Sequence, residues 1–417
     1  MQPMSPTGFS LPLLCLIAAL VTAALLVRRF GAPAPQGRYH SIDGLRGYLA
    51  LAVFLCHVAV WYAYLRTGRW ADSDSRLYRQ FGEASVVLFF MITAFLFYSK
   101  LLNSPGRFDW KQLYLSRVAR IVPLYLVVVV AVFAIVGYLT DWTLRVPVGV
   151  LLFRGLEWLA LGLLGAPALN EFSGASVIVA GVIWSLAYEA LFYAWLPLLC
   201  VTVPNAERVR GALLSVSVVA IVCFVLLHLP PVRLLGFLGG IAAAVLVRSQ
   251  LVSRLARTPA AGVVAIGCTA AAVGLFPTSY APVPTGLLAM AFIIIAGGNT
   301  LFGVLTAGVS RMLGEISYGI YLLHGIILFV AFYLLIPNAQ SLSGTAHCLV
   351  AVLCTPVLVA IAYFLFTCIE RPWIEWAHQR GPRFPRQNAA PEAAATAAVR
   401  QAQLEGRVRA RPATARA

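Results

Sequence analysis

The chain alternates between polar connections and apolar runs long enough to cross a hydrocarbon layer, at about 9–27, 44–65, 84–102, 121–140, 177–202, 212–229, 234–249, 260–276, 285–304, 315–336 and 347–368. Backbone amides inside a bilayer have no water to bond, so each run must close its own hydrogen bonds as a helix. The expected class is all-α, a polytopic integral membrane protein. Composition agrees, since only 11% of residues are charged and 61% are hydrophobic, against about a quarter charged in soluble domains. The net charge of +16 invites a nucleic-acid reading. The arginines, however, lie between apolar runs and in the tail, where they set topology and meet anionic lipid, so no nucleic-acid partner is expected. The cysteines fall almost entirely within apolar runs, with no C-x-x-C pair or metal-ligand spacing; free thiols and no metal site are expected.

The run at 147–165 carries Arg154 and Glu157. Counted as a span, it would invert the alternation of basic loops, so it is placed on the outer surface or as a re-entrant piece. With an external N-terminus, the inside loops collect Arg28, Arg29, Arg38, Lys100, Arg107, Lys111, Arg117, Arg120, Arg208, Arg210, Arg254, Arg257 and Arg311, and the C-terminus is cytoplasmic. The first run has no basic residue before it and no small-residue cleavage pattern directly after it, so it reads as a retained anchor. The Pro/Gly linker 31–37 sets it apart from the rest. Three units are expected: an N-terminal helix with its linker (1–37), a membrane domain (38–377) and a disordered basic cytoplasmic tail (378–417).

Ionisable side chains inside apolar runs are costly enough to mark function by default. Asp43, Arg46 and His57 all lie on the run that begins near Ser41. Arg46 and His57 are eleven residues apart, so on a helix they face the same way roughly 16 Å apart. His57 is either a general base that activates a hydroxyl or a histidine bonded to a neighbouring backbone. Asp43 and Arg46 also have plain readings as a helix cap and a topology charge. Glu189, about twelve residues into its run, is expected at a depth comparable with His57. There it pairs either with that imidazole or with an arginine. Arg117 and Arg120 share a helix face and suit a phosphate-rich ligand. His324 follows Ser317, Tyr318 and Tyr321 at helical spacing, fitting a polar site or aromatic packing.

Taken together, the chain from about 38 to 375 resembles the membrane-bound acyltransferase-3 family. The likeness rests on Asp43-Gly-Leu-Arg-Gly47 followed by His57 (the family's R-x10-H), on Phe89-Phe-Met-Ile-Thr-Ala-Phe-Leu96 and on Arg117-Val-Ala-Arg-Ile-Val-Pro-Leu-Tyr125. It continues with Trp184-Ser-Leu-Ala-Tyr-Glu-Ala-Leu-Phe-Tyr193, Leu313-Gly-Glu-Ile-Ser-Tyr-Gly-Ile-Tyr-Leu-Leu-His324 and Glu370-Arg-Pro372. The resemblance implies a ten-helix core, to which the first helix is an addition, in a bacterial inner membrane. It implies acyl transfer, most often of acetyl, from cytoplasmic acyl-CoA to a hydroxyl of a glycan or glycolipid such as lipopolysaccharide or exopolysaccharide. The acyl-CoA is a co-substrate, with no bound cofactor.

The same resemblance gives His57 the central role, with Arg46 supporting it and Arg117 and Arg120 near the donor. Asp43, Trp184, Ser185, Tyr318 and His324 complete the expected site. Thr93-Ala94 departs from the family's usual Ser-Gly, keeping a hydroxyl but adding a methyl. A charged donor head cannot enter hydrocarbon, so it is expected at the basic loops, with its thin arm reaching inward. His57 then takes the acceptor proton, and Glu189 orients the imidazole or the acceptor; an acyl-histidine relay is the other route. A transporter or flippase is the rival class, because carriers also hold His and Glu at mid-membrane.

Overall fold

A computed structural model describes residues 4–33, 39–103, 109–201, 218 and 230–380. Every regular element among them is helical. In chain order these are α1 (Ser10–Phe30), α2 (His40–Thr67), α3 (Arg76–Asn103), α4 (Trp110–Leu139), α5 (Val148–Leu159), α6 (Ala175–Ile178) and α7 (Trp184–Val201). After the undescribed stretch come α8 (Leu235–Leu246), α9 (Gln250–Ala256), α10 (Pro259–Leu275), α11 (Pro282–Ala296), α12 (Gly308–Glu315) and α13 (Ser317–Phe329). The last are α14 (Gly344–Leu365) and α15 (Arg371–Gln379). A wide π-helical segment extends α13 to Leu335, and another joins α14 to α15.

Among the described residues six helices are long and apolar enough to cross a membrane, or seven if the pair Pro231–Leu246 and Gln250–Ala256, bent by 108°, is one span. Pro259–Leu275 and Pro282–Ala296 are apolar but shorter. The predicted run 285–304 ends early because Gly298, at φ 108°, leaves helical geometry. At twelve residues, α5 is too short to cross, in keeping with its placement outside the set of spans. The predicted run 212–229 apart from residue 218, the linker residues 34–38 and the tail from 381 lie outside the described residues.

One sequence expectation changes substantially. The apolar run from 177 is not a continuous helix: α6 stops at Ile178, the chain turns through Ala180 (φ 51°) and Gly181 (φ 68°), and α7 begins only at Trp184. Apolar composition continues through that turn, so periodicity could not reveal it.

Helix α1 lies against α14 and α12. Its Leu11, Cys15, Ala19 and Ala23 are buried while Leu13, Ile17, Val21 and Leu25 face outward. The small buried residues allow close helix contact, and the outward stripe suits lipid. In the core α2 packs on α3, α12 and α13, and α3 packs on α8. The contact of α2 with α12 and the turn before it is backbone-close: a Cβ at Gly314 would lie 1.8 Å from the Asp43 carbonyl oxygen, and one at Gly44 2.0 Å from that of Leu305 in the turn. These glycines seat one face of α2 against α12 and leave Arg46 turned toward the bundle interior. The methyl of Ala94 is accommodated by Gly240 on α8, where a further Cβ would meet it at 2.8 Å.

Candidate active site

Arg46, Arg117, Arg120 and Glu189 line one cavity of about 100 Å³ between α2, α3, α4, α7 and α13. Apolar Phe89, Phe90, Ile92 and Leu96 form its α3 wall, and Ser185, Tyr318 and Tyr321 also line it. Arg117 lies over the Phe97 ring at 4.9 Å, and its Nε has no hydrogen-bond partner. Three guanidiniums against one carboxylate make this end of the cavity electropositive.

Glu189 does not reach His57. Its Oε1 accepts hydrogen bonds from Tyr193 and, at 3.4 Å, from Thr93, and its field is felt at Arg46. Gly82 on α3 packs against Cys56 on α2, so Thr93, eleven residues further along the antiparallel α3, lies about 16 Å from the level of His57. The expectation that Glu189 sits level with His57 and orients it is therefore corrected. Its helix starts at Trp184 rather than near 177, so a residue count from 177 does not give its depth.

The other end of the cavity meets a hydroxyl pair. Ser185 Oγ and Tyr321 Oη are 2.7 Å apart, and both also reach the Val182 carbonyl, at 3.1 and 3.2 Å. Beyond Tyr321, whose ring centroid is 6.1 Å from that of His324, two histidines meet. His324 Nε2 is 3.1 Å from His57 Nδ1. His57 Nδ1 is also 2.9 Å from the Val53 carbonyl, and His324 Nδ1 is 3.2 Å from that of Ile320.

These contacts fix the tautomers, because a carbonyl only accepts. Each Nδ1 carries hydrogen when the rings are neutral. The His57 Nδ1–H is shared between Val53 and the His324 Nε2 lone pair, so the lone pair of the neutral ring is on Nε2. His324 is fully buried, whereas His57 keeps some access. The Trp70 ring lies nearly parallel to His57 at 6.3 Å, and the Ala180 carbonyl also interacts with this imidazole. Gly325 makes that roof possible: a Cβ there would fall 2.4 Å from the Val179 carbonyl carbon.

The remaining expected residues divide. Tyr318 lines the cavity and donates to the Ile121 carbonyl at 2.9 Å. Trp184 packs instead beneath Arg233, whose guanidinium lies 4.1 Å from a Trp184 ring centroid and 4.9 Å from that of Tyr280. Asp43 is not a cap: α2 starts at His40, and Asp43 occupies its first turn. It lines a third cavity of about 290 Å³ together with Arg46, Arg120, Glu315 and Arg371.

The sequence offers Tyr321 and Thr93 as hydroxyls without assigning them to the site, and it does not single out Tyr193 or Trp70. Tyr321 was within reach of such an assignment, three residues from His324 on the same helix face; Trp70 lies in a connection with no periodic signal. Against known families, a family model described as an acyltransferase domain matches residues 39–369. The chain matches no curated protein and no solved structure.

Proposed function

Since the chain belongs to the acyltransferase-3 family, we propose that it transfers an acyl group, most simply acetyl, from acyl-CoA to a hydroxyl of a glycan or glycolipid, with His57 as general base. The observation that carries this reading is the His57 imidazole, held at Nδ1 by Val53 and His324, beyond a cavity whose far end holds three arginines.

The dimensions fit a thioester donor. A pantetheine arm has about the length of four extended residues, roughly 14 Å, while Arg46 and His57 are about 16 Å apart along α2. A diphosphate held at Arg46, Arg117 and Arg120 thus puts the thioester close to His57. The apolar α3 wall suits the uncharged arm, and the charged head stays at the basic end. On this reading that end faces the cytoplasm of a bacterial inner membrane and the Trp70 end faces outward.

In the reaction the acceptor oxygen attacks the thioester carbonyl as its proton passes to His57 Nε2. The C–O bond forms, the C–S bond breaks, and CoA leaves as a thiolate that is protonated in turn. His324 accepts from Nδ1–H throughout, and this hydrogen bond strengthens as the His57 ring becomes positive. Glu189 acts at the donor end, holding Tyr193 and balancing the arginines. A carrier would account for buried His and Glu but gives no reason for the acyltransferase domain. Purified protein in lipid nanodiscs, given radiolabelled acetyl-CoA and candidate glycans, tests the proposal. Acceptor-dependent CoA release with label on the glycan supports it; glycan movement across the membrane without CoA release contradicts it.

A further inference from the structure

A second, larger cavity of about 460 Å³ opens at the same basic end, between the starts of α2 and α9 and the ends of α3 and α11. Its polar lining includes His40, Ser99, Asn103, Arg248 and Arg257, and no carboxylate is present among its lining residues. His40 Nδ1 and Ser99 Oγ are buried without a hydrogen-bond partner. Arg248 donates to Asn103 Oδ1 at 2.8 Å, and Arg257 lies against Gly298, whose missing side chain makes room for it. A cavity with two arginines, no acid and unpaired buried polar atoms favours an anionic ligand rich in hydrogen-bonding groups.

This cavity is in register with the one described above. Ile92 and Leu96 line the first cavity, and Ser99 and Asn103 line the second. Spaced at i, i+4, i+7 and i+11, all four share one stripe of α3. On α2, His40 precedes Arg46 by six residues, about 9 Å along the axis and about 120° around it, so the α3 stripe is what connects the two cavities. A ligand with its diphosphate at Arg46 therefore has its remaining head within reach of His40 and Ser99. The third cavity also touches Arg46 and Arg120, but Asp43, Glu315 and Glu375 line it, which disfavours further phosphate.

We propose that the second cavity binds the phosphorylated adenosine end of the donor, so that the protein selects donors carried on CoA over the same acyl group on a carrier protein or a bare pantetheine. The inference rests on the acyl-CoA reading above. Arg248 and Arg257 take the ribose phosphate, while His40 and Ser99 supply hydrogen bonds to the nucleoside.

The test compares acetyl-CoA with acetyl-pantetheine in phosphatidylcholine nanodiscs and separately titrates adenosine bisphosphate, the isolated nucleotide end. The unchanged protein is expected to favour acetyl-CoA by roughly tenfold or more in kcat/KM and to bind the nucleotide. R248Q/R257Q is expected to lower that preference severalfold, leaving the part due to the diphosphate at Arg46, Arg117 and Arg120, and to abolish nucleotide binding. R254Q, on α9 between the two arginines but outside the cavity, is expected to change neither. If the unchanged protein uses acetyl-CoA but the preference is undiminished in the double variant, the nucleotide assignment is overturned and the donor reading stands. If it transfers from neither donor, the donor reading itself fails. If phosphatidylglycerol added to the discs displaces the nucleotide, the cavity holds a lipid phosphate and the assignment is overturned.

Discussion

Replacing His324 with alanine removes the only nitrogen lone pair hydrogen-bonded to His57 among the described residues. In the resting state the loss is modest, because Val53 still accepts from the same Nδ1–H. In the transition state the imidazole gains a proton, and a hydrogen bond to a charged group contributes about 1.5–3 kcal/mol. That corresponds to a fall in kcat of roughly 10- to 150-fold. Donor KM should hardly move, since the arginines lie at the other end of the cavity. His324→Gln, whose amide oxygen can accept, should recover part of the loss; a purely structural role would give no such rescue. The assay is acceptor-dependent CoA release at saturating donor, with thermal unfolding of both variants as the check on folding. A folded His324→Ala protein with unchanged kcat, or one whose defect lies wholly in KM, would refute the proposed role of the histidine pair.

Other perturbations separate the two ends of the site. Arg117→Gln is expected to raise donor KM by roughly tenfold with a smaller effect on kcat, as measured by initial rates over a range of acyl-CoA; an unchanged KM would remove Arg117 from donor binding. For Glu189→Gln the amide oxygen can still accept from Tyr193 and Thr93, so kcat should fall by less than about tenfold, whereas a larger loss matching His324→Ala would return Glu189 to the chemistry. Gly314→Ala puts a Cβ 1.8 Å from the Asp43 carbonyl oxygen, and the forced separation of α12 from α2 should cost about 1–3 kcal/mol in detergent unfolding. A variant as stable as the parent would contradict that packing.

Much of this arrangement is legible in the residues of α2 and α13. Arg46 and His57 lie eleven residues apart on one helix, and His324 falls on a face with Tyr321, so helical spacing alone placed them in candidate sites. The partnership between the histidines was not legible, since nothing in either helix says which neighbour it meets. Glu189 went astray for a different reason: residues 179–183 are as apolar as a helix, so the turn at Ala180 and Gly181 leaves no mark in hydropathy. The second cavity was invisible because His40, Ser99, Arg248 and Arg257 come from separate elements, and each alone reads as a polar helix end.

The account turns on His57 as the base, so the most direct measurement is acceptor-dependent acyl transfer by His57→Gln in nanodiscs at saturating acetyl-CoA. The expected result is a fall in kcat of about 10²- to 10⁴-fold with adenosine bisphosphate binding intact. Transfer at the parental rate by a folded His57→Gln protein would contradict it.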